Sequence, residues 1–234
     1  MGTVVNGLAV IGGGLLGVFF KKSISETWKR DLFQLIGILT LFIGILGMIK
    51  EALEINQGQI VIQSQMMLIL SLMLGFFLGE WTDIDGKLEK LGRKFQQWSK
   101  DEDEGFVTGF VSATVLICVG AMAIVGSLED GLSGDPSTLY AKSVLDFVAV
   151  MILSSTLGIG TVFSVIPMVI YQGGITLLSG TVAPYMSPEL IGDLSLVGSG
   201  LIFCIGINLL FDKKIKVANL LWALVFPILY HFIG

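Results

Sequence analysis

Long apolar stretches recur along the chain, separated by short clusters of charged and turn-forming residues. A helix needs roughly 20 apolar residues to cross a hydrocarbon core of about 30 Å. Eight stretches approach that length: 4–20, 32–49, 66–81, 106–127, 139–162, 165–183, 194–211 and 217–232. The pattern predicts an all-α integral membrane protein with eight transmembrane helices in a single transmembrane domain over 1–234. The first stretch reads as a retained helix, because no Lys or Arg precedes its apolar run and no small-residue cleavage site follows. The division near 164 needs an argument. Residues 144–183 carry no charged side chain except Asp146. As helix they would run ~60 Å, enough for two crossings, and Gly158, Gly160, Ser164 and Pro167 supply a break.

Two connectors carry further structure. Ile84, Leu88, Leu91, Phe95 and Trp98 are spaced 4, 3, 4 and 3, one apolar stripe on a helix whose other faces carry Lys and Glu. This predicts an amphipathic helix lying on the cytoplasmic surface. The run 100–104 (KDEDE) reads as a solvated loop, and 129–136 (EDGLSGDP) as a turn-rich acidic loop on the opposite side.

Charge then sets the orientation. With eight spans, twelve of the fourteen Lys and Arg residues fall on one side, leaving only Lys50 and Lys142 on the other. With seven spans the split is nine to five. Basic loops stay inside, so eight spans with both termini outside is the better account. Composition agrees: 53% of residues are hydrophobic and 14% charged, where a soluble domain carries about 25%. A net charge of −5 without a basic patch excludes nucleic acid as a partner. Two cysteines exclude a disulfide-stapled fold. Thirty glycines suit helices that pack closely in lipid.

The chain also resembles itself. Residues 25–45 align without gaps on 187–207 with seven identities, among them Asp31/Asp193, Leu39/Leu201 and Gly44/Gly206. Spans one to three thus match spans six to eight, giving repeat halves 4–82 and 165–233 with 83–164 between them. Copies five spans apart run in opposite directions. That is an inverted repeat, as in transporters whose site lies between the halves.

Polar groups inside a membrane are costly and point to function. Asp146 lies well inside the fifth span with Lys142 one turn before it. The pair is a cation or proton site, or else an ion pair at the outer interface with Lys142 reaching water. Asn6 and Gln172 offer amide donors and acceptors to a solute or to a neighbouring helix, as does Asn208. Ser155 and Thr156 precede Gly158-Ile159-Gly160, a segment that would present carbonyls if it unwound. Gly173 and Gly174 are further candidate helix breaks. Gly13/Gly17, Gly75/Gly79 and Gly105/Gly109 have the spacing of close-packing faces and offer a contact for a homodimer. Enzyme motifs are missing: one histidine, His231, no nucleophile elbow and no phosphate loop. Neither catalysis, a metal, a cofactor nor ATP drive is expected. The residues point to a passive or ion-coupled transporter or channel for an ion or small solute. The alternative is a non-transporting membrane scaffold or sensor.

Several stretches carry a resemblance. These are 80–92 (EWTDIDGKLEKLG), 118–134 (CVGAMAIVGSLEDGLSG), 141–146 (AKSVLD), 155–160 (STLGIG) and 163–173 (FSVIPMVIYQG), with 2–6 at the start and 213–220 near the end. Together they resemble the bacterial inner-membrane family catalogued as domain of unknown function 554, the YdfK/YqgA-like proteins. The resemblance covers nearly the whole chain. It implies a multi-pass protein of the bacterial plasma membrane and brings no catalytic or ligand residues with it.

Overall fold

Backbone donors and acceptors inside a bilayer must be satisfied within the chain, which restricts long apolar runs to helices. The computed structural model describes residues 1–21, 26–56, 59–62, 64–119, 121–211 and 215–233. Its helices are α1 (Gly2–Lys21), α2 (Glu26–Ala52), α3 (Gln65–Thr82), α4 (Ile84–Ser99), α5 (Phe106–Cys118), α6 (Ala121–Leu132), α7 (Ser137–Leu157), α8 (Val165–Leu177), α9 (Ser179–Val182), α10 (Pro188–Phe211) and α11 (Val225–Ile233). A short antiparallel hairpin, β1 (Leu53–Asn56) with β2 (Gln59–Ile62), joins α2 to α3. The segments Ile159–Ser164 and Asn219–Leu224 are 3₁₀ turns that lead into α8 and α11.

Six helical segments among the described residues are long and apolar enough to cross a membrane: Gly2–Lys21, Gln34–Ala52, Gln65–Thr82, Ser137–Leu157, Ile159–Leu177 and Pro188–Phe211. Two expected spans differ. The stretch 106–127 is not one helix: α5 and α6 meet at 60°, because Val119 ends α5 in extended backbone (φ −91°, ψ 117°). The stretch 217–232 yields only a shorter apolar helix, Asn219–Phe232. The acidic segment 129–136 is not all loop, since α6 continues through Glu129 to Leu132. By contrast the chain does divide between the fifth and sixth stretches. Gly158 has φ +82°, a left-handed conformation suited to glycine, and the chain reverses there.

The helices define two ends. At the first end the Gly2 amide meets Asp130, Gly131 packs on the C-terminal end of α8, and Gly192 near the start of α10 faces Glu51. At the second end Lys21 pairs with Asp103 beside the Gly158 turn, and α4 packs under α5. Helix α1 lies parallel to α7, with Gly13 against the Phe147 carbonyl and Gly17 against that of Met151. Helix α2 crosses α10 antiparallel, Gly37 meeting Leu210 while Gly44 meets Phe203. Helix α3 sets Gly75 and Gly79 on Ala223 and Asn219, and Gly105, just before α5, abuts the Leu157 carbonyl. All three close-packing faces are therefore occupied inside the chain. Their glycines are used to bring helices of one chain together.

The amphipathic stripe of α4 divides. Phe95 packs on Phe110 and Phe163, with ring centroids 5.6 and 5.5 Å apart. Leu91 and Trp98 stay exposed, at 40% and 78%. The acidic run 100–104 does more than meet solvent. Asp103 pairs with Lys21 and accepts from the Gly105 amide at 3.0 Å. Lys22, Ser25, Lys213 and Lys214, which entered the orientation and repeat arguments, lie outside the described residues.

Candidate functional site

Four polar residues from three helices meet near the first end. Glycines decide the meeting: α1 turns Gly13 and Gly17 to α7, and Gly7 to α8, where a Cβ on Gly7 would stand 3.6 and 3.5 Å from Val165 and Val169. Wedged this way, α1 carries Asn6 to both neighbours. The Asn6 Nδ2 group donates to Asp146 Oδ2 at 2.9 Å and to Gln172 Oε1 at 3.1 Å. Lys142 Nζ, one turn before Asp146 on α7, donates to the same carboxylate oxygen. Asn6 and Gln172 are 0% exposed, and Lys142 and Asp146 are each 6% exposed. Desolvating two charges costs several kcal/mol per ion, which their attraction offsets only with good geometry and extra hydrogen bonds. Asn6 supplies one such bond.

The cluster keeps unused capacity. Asn6 Oδ1 and Gln172 Nε2 are buried without a partner among the described residues, as are the hydroxyls of Thr3, Ser127 and Thr176. Thr3 lies one turn before Asn6 on α1, and Thr176 one turn after Gln172 on α8, both towards the first end. The Thr3 methyl faces Gly173, where an added Cβ would stand 4.0 Å from it. Ser127 is one turn before Asp130, which accepts from the Gly2 amide at 2.9 Å. An unmet buried polar group costs about 1–3 kcal/mol, and native folds keep few of them. In the next turn towards the second end these helices present apolar groups. Val10, Val150 and Met168, each one turn from Asn6, Asp146 and Gln172, close with Ile117 into a layer no more than 1% exposed. Sequence reading missed Thr3, Ser127 and Thr176, although the one-turn spacing from Asn6 and Gln172 was visible.

A family described as Protein of unknown function (DUF554) matches residues 1–232. The chain belongs to this family. It is 30% identical over 226 residues to YdfK of Bacillus subtilis, described as an uncharacterized membrane protein, covering 97% of this chain and 93% of that one. It is also 30% identical over 230 residues to YqgA of Escherichia coli, covering 96% and 93% of the two chains. No solved structure matches.

The other candidate residues of this DUF554 protein lie elsewhere. Ser155 and Thr156 return their hydroxyls to the Ile152 and Leu153 carbonyls at 2.7 and 2.9 Å. Their segment stays helical up to Leu157 and presents no free carbonyl row. Gly158 makes the turn, and Gly160 lies against the Phe106 carbonyl. Gly173 and Gly174 do not break α8. The helix runs through them, and the Leu178 amide still reaches the Gly174 carbonyl at 3.0 Å. Asn208 sits at the second end, where it donates to the Ile215 carbonyl at 2.7 Å and accepts from the Ile215 amide at 2.9 Å.

A second polar cluster went unread. Asn219 is 0% exposed. It accepts from the Asp85 amide at 2.7 Å and donates to Glu80 at 2.9 Å. Lys216 Nζ reaches Glu80 at 2.9 Å, and the Trp222 indole donates to Thr82 at 2.7 Å. An amide inside the apolar run 217–232 was the available signal. Beside this cluster lies a cavity of about 290 Å³ lined by Asp85, Glu89, Thr108, Ser112 and Asn208 among others. Burial pushes the Asp85 carboxyl above its ordinary range, aided by Glu89 and Asp83 against the Ala218 amide and Lys216. The hydrogen bond to Glu80 holds the Lys216 ammonium above its ordinary range. A larger, mainly apolar groove of about 860 Å³ lies between α3 and α11 with Asp193 in its wall.

Proposed function

We propose that the protein is a transporter or channel for an ion or small solute, passive or ion-coupled, acting through Asn6, Lys142, Asp146 and Gln172. The observation that carries this reading is an ionisable pair, buried among apolar helices and held by an amide with unmet hydrogen-bonding capacity. Such groups inside a membrane mark pathways more often than packing.

The wider architecture supports eight crossings. Helix α1 is parallel to α7 and α2 is antiparallel to α10, as the first and fifth, and the second and seventh, crossings must be. Lys21, Lys87, Lys90, Lys94 and Lys216 gather at the second end, with Lys50 and Lys142 nearer the first. We take the second end as cytoplasmic, which puts both termini outside a bacterial plasma membrane. An inverted repeat is supported by the α2–α10 crossing. A Cβ at Gly44 would lie 2.6 Å from the Phe203 nitrogen, and one at Gly206 would lie 2.6 Å from the Leu41 nitrogen. In the alignment of 25–45 on 187–207, Gly206 stands for Gly44 and Phe203 for Leu41. Swapping the halves maps this contact onto itself. The same shift relates the Asn6–Gln172 contact to the packing of Val10 with Met168.

The rival reading, a scaffold or sensor, is favoured by the closed interior, since Asn6 and Gln172 are 0% exposed. Transport demands that this state be an occluded one. Flux of protons, cations and small uncharged solutes into liposomes, wild type against Asp146→Asn, separates the readings. Flux that the variant abolishes supports transport through the cluster. Unchanged flux removes Asp146 from the role, and no flux of any solute favours the scaffold.

A further inference from the structure

We infer that the Asn6–Gln172 site takes a small uncharged solute that both donates and accepts hydrogen bonds, admitted from the first end past Thr3, Ser127 and Thr176. The inference rests on the transport reading above and names its substrate class. Three observations carry it. The first is charge: the carboxylate of Asp146 is matched by Lys142 in direct contact, and its Oδ2 also accepts from Asn6. The pair presents no net charge to a bare ion. A cation site gathers acceptors and an anion site gathers donors, whereas the unpartnered groups here are mixed. Asn6 Oδ1 accepts, Gln172 Nε2 donates, and each hydroxyl does both. Such a set complements a polyol or a urea-like amide.

The second observation is position. The five unpartnered atoms of these residues occupy α1, α6 and α8 on the first-end side of Asp146. Contacts place them together: Gly2 with Asp130, Thr3 with Gly173, and Gly131 with the Thr176 carbonyl. The third is the layer beneath. Val10, Ile117, Val150 and Met168 are 0–1% exposed, and their one side-chain heteroatom, the Met168 sulfur, accepts weakly from Asn6 Nδ2 at 3.8 Å. The unpartnered polar groups thus lie on the first-end side of the site and an apolar layer lies on the other. That layer must part for the solute to cross.

The test uses the full chain in liposomes, with swelling in glycerol or urea read by light scattering and sodium and potassium entry read in parallel. At least one of the two solutes should enter at ten times the rate of protein-free vesicles or more, with cation entry at background. Gln172→Leu should bring solute entry close to background. Thr176→Val, which keeps the side-chain shape, should slow it several-fold, and Thr176→Ser should restore it; a merely structural threonine would not follow the hydroxyl. Sodium or potassium entry without glycerol or urea entry would overturn the solute class and leave the transport reading standing. No entry of any probe would overturn both. The admission path has its own readout. In a chain whose Cys118 and Cys204 are replaced by alanine, Thr3→Cys and Ser127→Cys should react with a membrane-impermeant thiol reagent added outside. Leu8→Cys, on the exposed outer face of α1, should not. Absence of reaction at both polar positions would overturn the path.

Discussion

Removing one partner of the Lys142–Asp146 pair should destabilise the protein, and the two removals should not cost the same. Lys142 is five residues into α7 and Asp146 nine, or about 8 and 14 Å along the axis at 1.5 Å per residue. A lysine left alone can swing its ammonium to the near end of the helix along its flexible stem. An aspartate left alone, one turn deeper and with a short side chain, cannot. Lys142→Met strands a carboxylate that is 6% exposed with only the Asn6 amide as partner, and should cost about 3–5 kcal/mol. Asp146→Leu lets the ammonium leave but orphans one Asn6 donor, for about 1–3 kcal/mol. The double variant removes both charges and should cost little more than Asp146→Leu alone. The resulting coupling is nearly the whole Lys142→Met cost, about 3–5 kcal/mol. Reversible unfolding in mixed micelles with rising dodecyl sulfate, followed by far-ultraviolet circular dichroism, measures all four corners of the cycle. Additive single costs, or a Lys142→Met variant as stable as wild type, would refute the reasoning.

Gly44→Ala and Gly206→Ala each drive a methyl into backbone at 2.6 Å, so each should cost about 1–3 kcal/mol. Because the two contacts are equivalent by the repeat, the costs should agree within about 0.5 kcal/mol; a lopsided pair would count against the internal symmetry. Gly174→Ala should act in the opposite direction and stabilise by about 0.5–1 kcal/mol, since a Cβ there meets nothing within 4 Å in the middle of α8. Asp85 binds its proton more tightly in the folded chain than in the unfolded one. Its contribution to stability therefore falls as pH rises from the ordinary value of 3.8 through the raised folded value, and Asp85→Asn should flatten that part of the stability profile. Alkaline phosphatase fused after residue 100 should be inactive and fused after residue 134 active; the reverse pattern would invert the proposed orientation.

The apolar runs were legible because hydropathy reports length and burial in lipid directly. Periodicity does not report a bend, so 106–127 looked continuous although Val119 leaves the helix. The polar cluster was partly legible. Asn6, Asp146 and Gln172 stand alone on apolar helices, and isolation of that kind marks a residue whatever its partner. Which of them meet depended on the two glycine faces of α1, and no spacing along one helix reveals a contact between helices far apart in sequence. Asn208 and Asn219 show the limit. Both are amides beside apolar runs, yet Asn208 ties the end of α10 to the next link while Asn219 is the buried centre of the second-end cluster. Ser155 and Thr156 looked exposed to an unwound turn, but a hydroxyl in a helix has its own carbonyls within reach, and they took them.

The pairing of α1 with α7 and of α2 with α10 has a consequence for biosynthesis. More than a hundred residues separate the end of α1 from the start of α7, and likewise α2 from α10. At about 5–20 residues per second, the first two helices wait many seconds in the bilayer before their partners leave the ribosome. Their glycine faces stay open to lipid for that time. The early helices must therefore insert on their own hydrophobicity. Assembly can finish only when the C-terminal third has been made, so a chain truncated before α10 leaves α2 without its close-packed partner.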